Sequence, residues 1–151
     1  MANAEMIRPY VEKLLKEWTG ADELIVDEDG DIPFRVGSAR YYVSILDRDP
    51  PLVRVWATLL RGVKKNMKLL EAINDANTRI LQCRMFWNDG AVMLASEIVA
   101  DDLDRDELIE ACNAIAQIAD DFDDILQADF GGEKEFEDQG DAAPGAEVVD
   151  V

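Results

Sequence analysis

The sequence predicts an α+β fold, an antiparallel sheet with flanking helices in the order α-β-β-β-β-α-β-β-α. Three observations support it. Apolar residues repeat at helical spacing near residues 7–18, 64–77 and 105–126, whereas they alternate with a period of two over residues 24–60 and 80–99. Asp-Gly and Asp-Pro-Pro turns divide the alternating stretches. Runs of strands flanked by helices are typical of α+β proteins.

The first helix is predicted over residues 7–18. Its apolar stripe is formed by Ile7, Val11, Leu14, Leu15 and Trp18. Because Pro9 has no N–H, it fits best in the first turn, which predicts a helix start near residue 7. Gly20 follows and is typical of a helix end.

Four strands are predicted next, at residues 24–26, 32–36, 40–46 and 52–60. Asp29-Gly30-Asp31 favours a turn between the first two, because glycine adopts positive φ without steric cost. Pro50-Pro51 ends the third strand, since proline cannot donate to a strand ladder.

A second helix is predicted over residues 64–77, followed by a hairpin with strands at 80–87 and 91–99. Asn88-Asp89-Gly90 is the clearest hairpin signal in the chain. The third helix is predicted to begin after Asp104, with Glu107 completing a capping box. Its core stripe is predicted to be Leu108, Cys112, Ile115, Ala119, Phe122 and Leu126.

Two regions are predicted: a folded domain over residues 1–128 and a disordered acidic tail over residues 129–151. The tail has few large apolar residues, so it cannot bury enough surface to offset its ordering entropy. Its final residues, 148–151, are apolar enough to add as a strand to an exposed edge, although disorder is favoured.

The charge is unevenly distributed. Residues 101–151 carry 18 acids and two bases, whereas residues 1–100 carry 15 acids and 13 bases, which together make the net charge of −18. Such a polyanion repels nucleic acid and anionic membranes, so neither is expected as a partner. The acidic third is interpreted as a solubility device, with a basic protein partner as the alternative.

The residues for common catalytic and metal sites are missing. The chain has no histidine and no CxxC pair, phosphate-binding glycine loop or GxSxG turn. We therefore predict no enzyme activity, no cofactor and no metal. Cys83 and Cys112 are the two cysteines, and their scarcity favours free thiols in the cytoplasm, with a disulfide as the alternative.

Two acidic clusters are candidates for cation sites. Residues 27–31 lack the spacing of a calcium loop, so a hairpin turn is favoured. Residues 101–107 precede the third helix, where acids are stabilised by the helix dipole, and a weak cation site is the alternative.

An apolar surplus on both sheet faces predicts a protein-binding surface. One face of residues 52–60 places Arg54 beside Trp56, and one face of residues 80–87 places Arg84 beside Phe86. Arginine beside an exposed aromatic ring is typical of interfaces. These four residues are predicted to contact a partner, unless a helix or neighbouring strand covers them.

The segment from Leu69 to Leu126 resembles the YbjN family of bacterial sensory transduction regulators. The resemblance lies in the order of the elements: a helix ending in Ile73-Asn74-x-x-Asn77, a strand, the Asp89-Gly90 turn, a strand and a long amphipathic helix. That family shares its fold with class I chaperones of type III secretion. The resemblance implies a chaperone-like fold with no catalytic residues, and a structural role for Asn74 and Asn77 in capping the helix and fixing the following turn.

The resemblance also implies a homodimer that binds extended polypeptides. The second helix and last hairpin are predicted to form the dimer contact, through Met67, Leu70, Ile73 and Trp87. The predicted function is therefore a non-enzymatic protein- or peptide-binding module, chaperone-like or regulatory. The alternative is a regulator that responds to a small molecule or cation through residues 101–107 or an internal pocket.

Overall fold

A computed structural model describes residues 3–36, 39–134 and 149–150. The helices are α1 (Ala4–Thr19), α2 (Met67–Asn77) and α3 (Arg105–Phe130). The strands are β1 (Ile32–Val36), β2 (Ala39–Leu46), β3 (Leu52–Arg61), β4 (Arg84–Asn88), β5 (Ala91–Val99) and β6 (Val149–Asp150).

The strands form one sheet in the order β4-β5-β3-β2-β1-β6. The first five are antiparallel to their neighbours, and β6 lies parallel to β1. The predicted α+β class is confirmed. The predicted strand at residues 24–26 is not formed, because both sides of β1, the strand that follows it in the sequence, are occupied by β2 and β6.

Helix starts differ from the predictions because asparagines cap them. α1 begins at Ala4 rather than near residue 7, since the Asn3 side chain accepts the Met6 N–H at 2.9 Å. Pro9 therefore lies inside the helix, at an exposed position. In α2 the Asn66 side chain accepts the Leu69 N–H at 2.8 Å, so the helix begins at Met67 rather than residue 64.

The start of α3 is confirmed. The Asp104 carboxylate accepts the Glu107 N–H at 2.9 Å, and the Glu107 carboxylate accepts the Asp104 N–H at 3.2 Å. The predicted stripe is buried except for Phe122, which is partly buried. The hairpin turn is also confirmed, with positive φ at Asp89 (47°) and Gly90 (82°).

The core lies between the helices and one face of the sheet. α3 packs across β3, β2, β5 and β1, α1 packs against β2, and α2 lies along β4. On β3 the pairing register with β5 shifts between Thr58 and Leu60, and this irregularity lets both Leu59 and Leu60 enter the core. The largest fully buried side chains include Phe34, Tyr41, Leu94, Leu108 and Ile115.

Both cysteines are free. Cys112 is buried beside Tyr41, and burial raises the pKa of its thiol to about 12. Burial also raises the pKa of the half-buried Cys83 thiol. At neutral pH both groups are protonated, so Cys112 serves as a small apolar core residue.

The folded region extends past the predicted boundary at residue 128. α3 continues to Phe130, and Glu133 pairs with Arg61 through N–O distances of 2.8 and 3.0 Å. The next residue, Lys134, is 6% exposed and forms an ion pair with Asp124. The prediction of a disordered tail falls on residues 135–148 and 151, which lie outside the described residues, and on β6.

Among the described residues, no helix combines the length and apolar character needed to cross a membrane.

Candidate functional site

The sheet has a second face, opposite the helices. Along β3, Val53 and Val55 are buried in the core, so the alternating side chains of Arg54 and Trp56 point the other way. The strand register brings residues of four neighbouring strands to the same side. We call this surface the open face and define it by Tyr42, Ser44, Arg54, Trp56, Arg84, Phe86 and Glu97.

All four predicted partner-binding residues lie together on the open face. Arg54, Trp56 and Phe86 are half-buried and Arg84 is exposed. With Asp29, Asp31 and parts of β2 and β5, they line a groove of about 560 Å³. The three helices pack elsewhere, so the alternative that a helix covers these aromatic rings does not hold for the described residues.

One carboxylate, that of Glu97, binds both arginines of this groove. Glu97 accepts from Arg54 Nε at 3.0 Å and from Arg84 Nη2 at 2.9 Å, and its second oxygen binds Arg84 Nη1. The Arg84 hydrogen bonds, followed by those of Arg54, lower the pKa of Glu97. The Arg84 guanidinium lies 5.2 Å from the centre of the Phe86 ring.

Glu97 is a site residue that sequence reasoning missed. It lies directly opposite Arg54 in the β3–β5 register and two β5 residues from the partner of Arg84. Because β3 and β5 are separated in sequence by α2 and β4, only the strand order shows that these charges meet.

The Trp56 ring, which lines the groove, belongs to an aromatic stack. The Trp56 and Tyr42 rings are 4.4 Å apart with an interplanar angle of 18°. Trp56 Nε1 donates to Ser44 Oγ at 2.7 Å, and the Ser44 hydroxyl in turn hydrogen-bonds to the Asp31 carboxylate. Two partners thus hold the indole ring in place.

Two carboxylates, those of Asp29 and Asp31, also line the groove. Partial burial raises the pKa of Asp31, the neighbouring charges of Asp27 and Asp29 raise it further, and the Ser44 hydrogen bond and Arg8 oppose the rise. Desolvated carboxylates of this kind are stabilised when a cation approaches. The groove therefore brings together two arginines, the Trp56 and Phe86 rings and two carboxylates.

Arg54 has donors available for a ligand. Its Nε binds Glu97, and no other ion pair or side-chain hydrogen bond of Arg54 occurs within residues 3–36 and 39–134. The two terminal nitrogens of a guanidinium can bind a carboxylate in a bidentate manner. Arg54 and Arg84 carry two positive charges and Glu97 carries one negative charge, so this cluster of three side chains has a net positive charge.

The four predicted dimer residues are divided by the structure. Met67 is 70% exposed and Leu70 is 39% exposed, whereas Ile73 is buried in the core of its own chain. Trp87 is partly buried, donates from Nε1 to the Val63 carbonyl at 2.7 Å, and lies 5.4 Å from Lys65 Nζ. Ile73 and Trp87 thus stabilise the protomer, and the exposed apolar residues of α2 are Met67 and Leu70.

α2 has one buried side, and Met67 and Leu70 do not belong to it. The buried side consists of Leu69, Ile73 and Ala76, which face β4. Asn77 is predicted to cap the helix, but its side chain bonds to β4 instead: its amide donates to the Met85 carbonyl at 2.9 Å and accepts the Met85 N–H at 2.8 Å. This side chain therefore seals part of the outer edge of β4.

The acidic loop at residues 101–107 is explained by helix capping. Asp104 and Glu107 satisfy the first N–H groups of α3. Within the described ranges, no three cysteine, aspartate or glutamate side chains come together in an arrangement suited to a metal ion.

Replacing Glu97 by glutamine is expected to lower the free energy of unfolding by about 1 kcal/mol at pH 7, since an ion pair that remains partly solvated contributes about that much. The folded-state pKa of Glu97 is depressed, so this contribution is present above its unfolded pKa and is lost as pH falls through the folded value. Urea unfolding at pH 7 and pH 3 measures the difference.

The control for this prediction is the Glu97→Gln change made in an Arg84→Ala background. Because Arg84 is the main cause of the lowered pKa, most of the effect of the second substitution should disappear. An equal loss of stability in both backgrounds, or at both pH values, would contradict the assignment.

The sequence matches the family model of the T3SS (YopN, CesT) and YbjN peptide-binding chaperone 1 over residues 5–138. No curated protein matches the chain significantly. Solved structures with the same fold include that of the ExsC–ExsE complex, with a TM-score of 0.60 and 17% identity over 78% of this chain and 94% of the other.

A second similar structure is that of the HopA1–SchA chaperone–effector complex. It has a TM-score of 0.62 and 10% identity over 79% of this chain and 94% of the other. The resemblance to YbjN proteins and secretion chaperones is thereby confirmed, since the family model spans most of the folded domain. The chain belongs to the T3SS and YbjN family of peptide-binding chaperones.

Proposed function

We propose that this protein is a homodimeric chaperone that binds an extended segment of a partner protein in the groove of the open face. The observation that carries the proposal is the grouping of Arg54, Trp56, Arg84 and Phe86 around one groove of about 560 Å³. Half-exposed aromatic and arginine side chains are the residue types that contribute most to binding at interfaces.

Family membership supports the peptide-binding part of this proposal. One structure of the same fold is that of a chaperone–effector complex. An equivalent role here is to hold an incompletely folded segment of another protein. Two free thiols suit a reducing compartment, and we propose that the protein acts in the cytoplasm.

The groove favours particular residue types in the bound segment. A carboxylate would pair with the terminal nitrogens of Arg54, and a large apolar side chain would pack on Trp56 and Phe86. A basic side chain would approach Asp29 and Asp31. The expected segment therefore carries an acidic, an apolar and a basic residue.

Selection from a random 15-residue peptide display library tests the proposal. Peptides are selected on the full chain and then counter-selected on an Arg54→Ala/Trp56→Ala variant of unchanged melting temperature. Enrichment of peptides with the expected residue types is the predicted outcome. Recovery of peptides that bind the variant equally well would place the binding surface elsewhere.

The homodimer is proposed to form through α2 and the outer edge of β4. Met67 and Leu70 are three residues apart, hence on one side of α2, and are exposed. β4 is the last strand on its side of the sheet, so a second copy can be accommodated beside the part of its edge that Asn77 does not cover.

Light scattering at about 10 μM is expected to give twice the monomer mass of 16.9 kDa. Introducing lysine at both Met67 and Leu70 should yield a monomer, because two charges would be desolvated in the contact. Met6→Lys is the matched control, since Met6 is an exposed methionine of α1. A monomeric wild-type chain, or an unaffected double variant, would contradict the dimer contact.

A further inference from the structure

The outer edge of β1 is occupied by the C-terminal segment of the same chain. β6 lies parallel to β1, with Val149 opposite Phe34 and Asp150 opposite Arg35. Among the described residues this pairing covers two positions, whereas β1 pairs with β2 over five. Without β6, β1 would be an edge strand with unpaired backbone groups, which is a template for another strand.

The sequence of β1 is that of an edge strand. Pro33 lies inside it and has no N–H to donate, and proline is tolerated in sheets mainly at edges. Among the described strands, β1 and β6 are the one parallel pair, and all other pairs are antiparallel. β6 is therefore an addition to an antiparallel sheet that is otherwise complete.

Charge favours the C-terminal segment at this edge. Residues 135–151 contain six acids and no base. Arg35 and Arg40 face each other across β1 and β2, next to the position of Asp150. An acidic strand arriving at β1 therefore meets the basic end of the β1–β2 hairpin.

The connection to the folded domain permits reversible docking. The chain leaves the described core at Lys134, which is anchored by Asp124. The 14 intervening residues can span up to roughly 50 Å, so their length does not force the pairing. A covalent connection of this length gives an effective concentration on the order of 1 mM. A contact as short as β6 should therefore be occupied but displaceable.

We propose that the outer edge of β1 is a strand-docking site that the segment around Val149 and Asp150 occupies within the same chain, and that this occupation excludes other extended segments. The site accepts strands with apolar β-branched residues next to an acid, as in the chain's own terminus. Main-chain pairing supplies the affinity in such strand addition. The site is separate from the open face, and strand docking at β1 does not require that the open face binds peptides.

A labelled peptide of residues 143–151 tests the proposal by fluorescence anisotropy with the full-length protein. Val149→Pro removes a backbone N–H within β6 and should vacate the edge. The peptide is expected to bind this variant at least tenfold more tightly than it binds the wild type. The factor follows if the segment binds the edge with a dissociation constant of about 0.1 mM and the tethered copy has an effective concentration of about 1 mM, because the tethered copy then occupies the edge about ten times as often as it leaves it empty.

Ala142→Pro is the matched control, because it adds proline to the same tail outside β6, and it should bind the peptide as weakly as the wild type. A peptide that itself carries Val149→Pro should not bind. Equal affinity of the wild type and the Val149→Pro chain would overturn the proposal, as would equal binding of the two peptides, which would indicate charge attraction alone.

Two further measurements distinguish docking within one chain from pairing between copies and from binding at the open face. Light scattering should give the same mass for the wild type and the Val149→Pro chain; a lower mass for the variant would show that the segment pairs between copies and would overturn the proposal. An Arg54→Ala change added to Val149→Pro should leave peptide binding unchanged. If binding is lost instead, the peptide occupies the open face and the proposal fails.

Discussion

Replacing Ile115 by alanine is expected to lower the free energy of unfolding by about 3 kcal/mol, a large part of the roughly 5–15 kcal/mol that stabilises a typical domain. Ile115 is fully buried in the middle of α3, the helix that packs across four strands of the sheet. Removing three carbon atoms there leaves a cavity that neighbouring side chains fill only in part. Urea unfolding followed by circular dichroism measures the change.

The same substitution at Ile125 provides the control. Ile125 belongs to the same helix and is 57% exposed, so no cavity forms when it is shortened. Alanine has the higher helix propensity at both positions, so this contribution cancels in the comparison. Ile125→Ala is expected to change stability by less than about 0.5 kcal/mol. Similar losses at both positions would mean that α3 does not pack on the sheet through Ile115.

Replacing Trp56 by alanine is expected to weaken binding of a display-selected peptide about 30-fold, equivalent to about 2 kcal/mol. The indole ring lines the groove, is stacked on Tyr42 and is held by Ser44, so it presents an apolar surface at little entropic cost. Isothermal titration calorimetry with the wild type and the variant measures the loss.

Two variants keep this prediction testable if Trp56→Ala lowers stability. Arg54→Ala removes a charged donor from the same groove and is expected to weaken binding as well. Tyr10→Ala removes an exposed aromatic ring from α1, on the helical side of the sheet, and should leave binding unchanged. Undiminished affinity of the folded Trp56→Ala protein would remove the open face from the proposed function.

The features that were predicted correctly depend on residues close together in the sequence. The capping box of Asp104 and Glu107 lies within one helical turn, and the Asp89-Gly90 turn fixes its own hairpin. The grouping of Arg54 with Trp56 and of Arg84 with Phe86 followed from two-residue alternation alone. Such features can be predicted without knowing which other elements pack against them.

The incorrect predictions concern residues whose state depends on distant neighbours. Residues 24–26 have strand-like composition and form no strand, because β1 is paired on both sides by other segments. On α2, helical spacing alone does not decide whether Met67 and Leu70 or Leu69 and Ala76 form the buried side. The position of β4 selected the second pair as the buried side.

By itself, the sequence determined the α+β class, the turns, the capped start of α3 and the absence of histidine chemistry, since these follow from local backbone preferences and composition. The tertiary structure alone decided that β5 lies beside β3, which brings Glu97 to Arg54 and Arg84, and that β6 lies beside β1. Strand order determines these contacts, and it depends on burying a common core rather than on any short stretch of sequence.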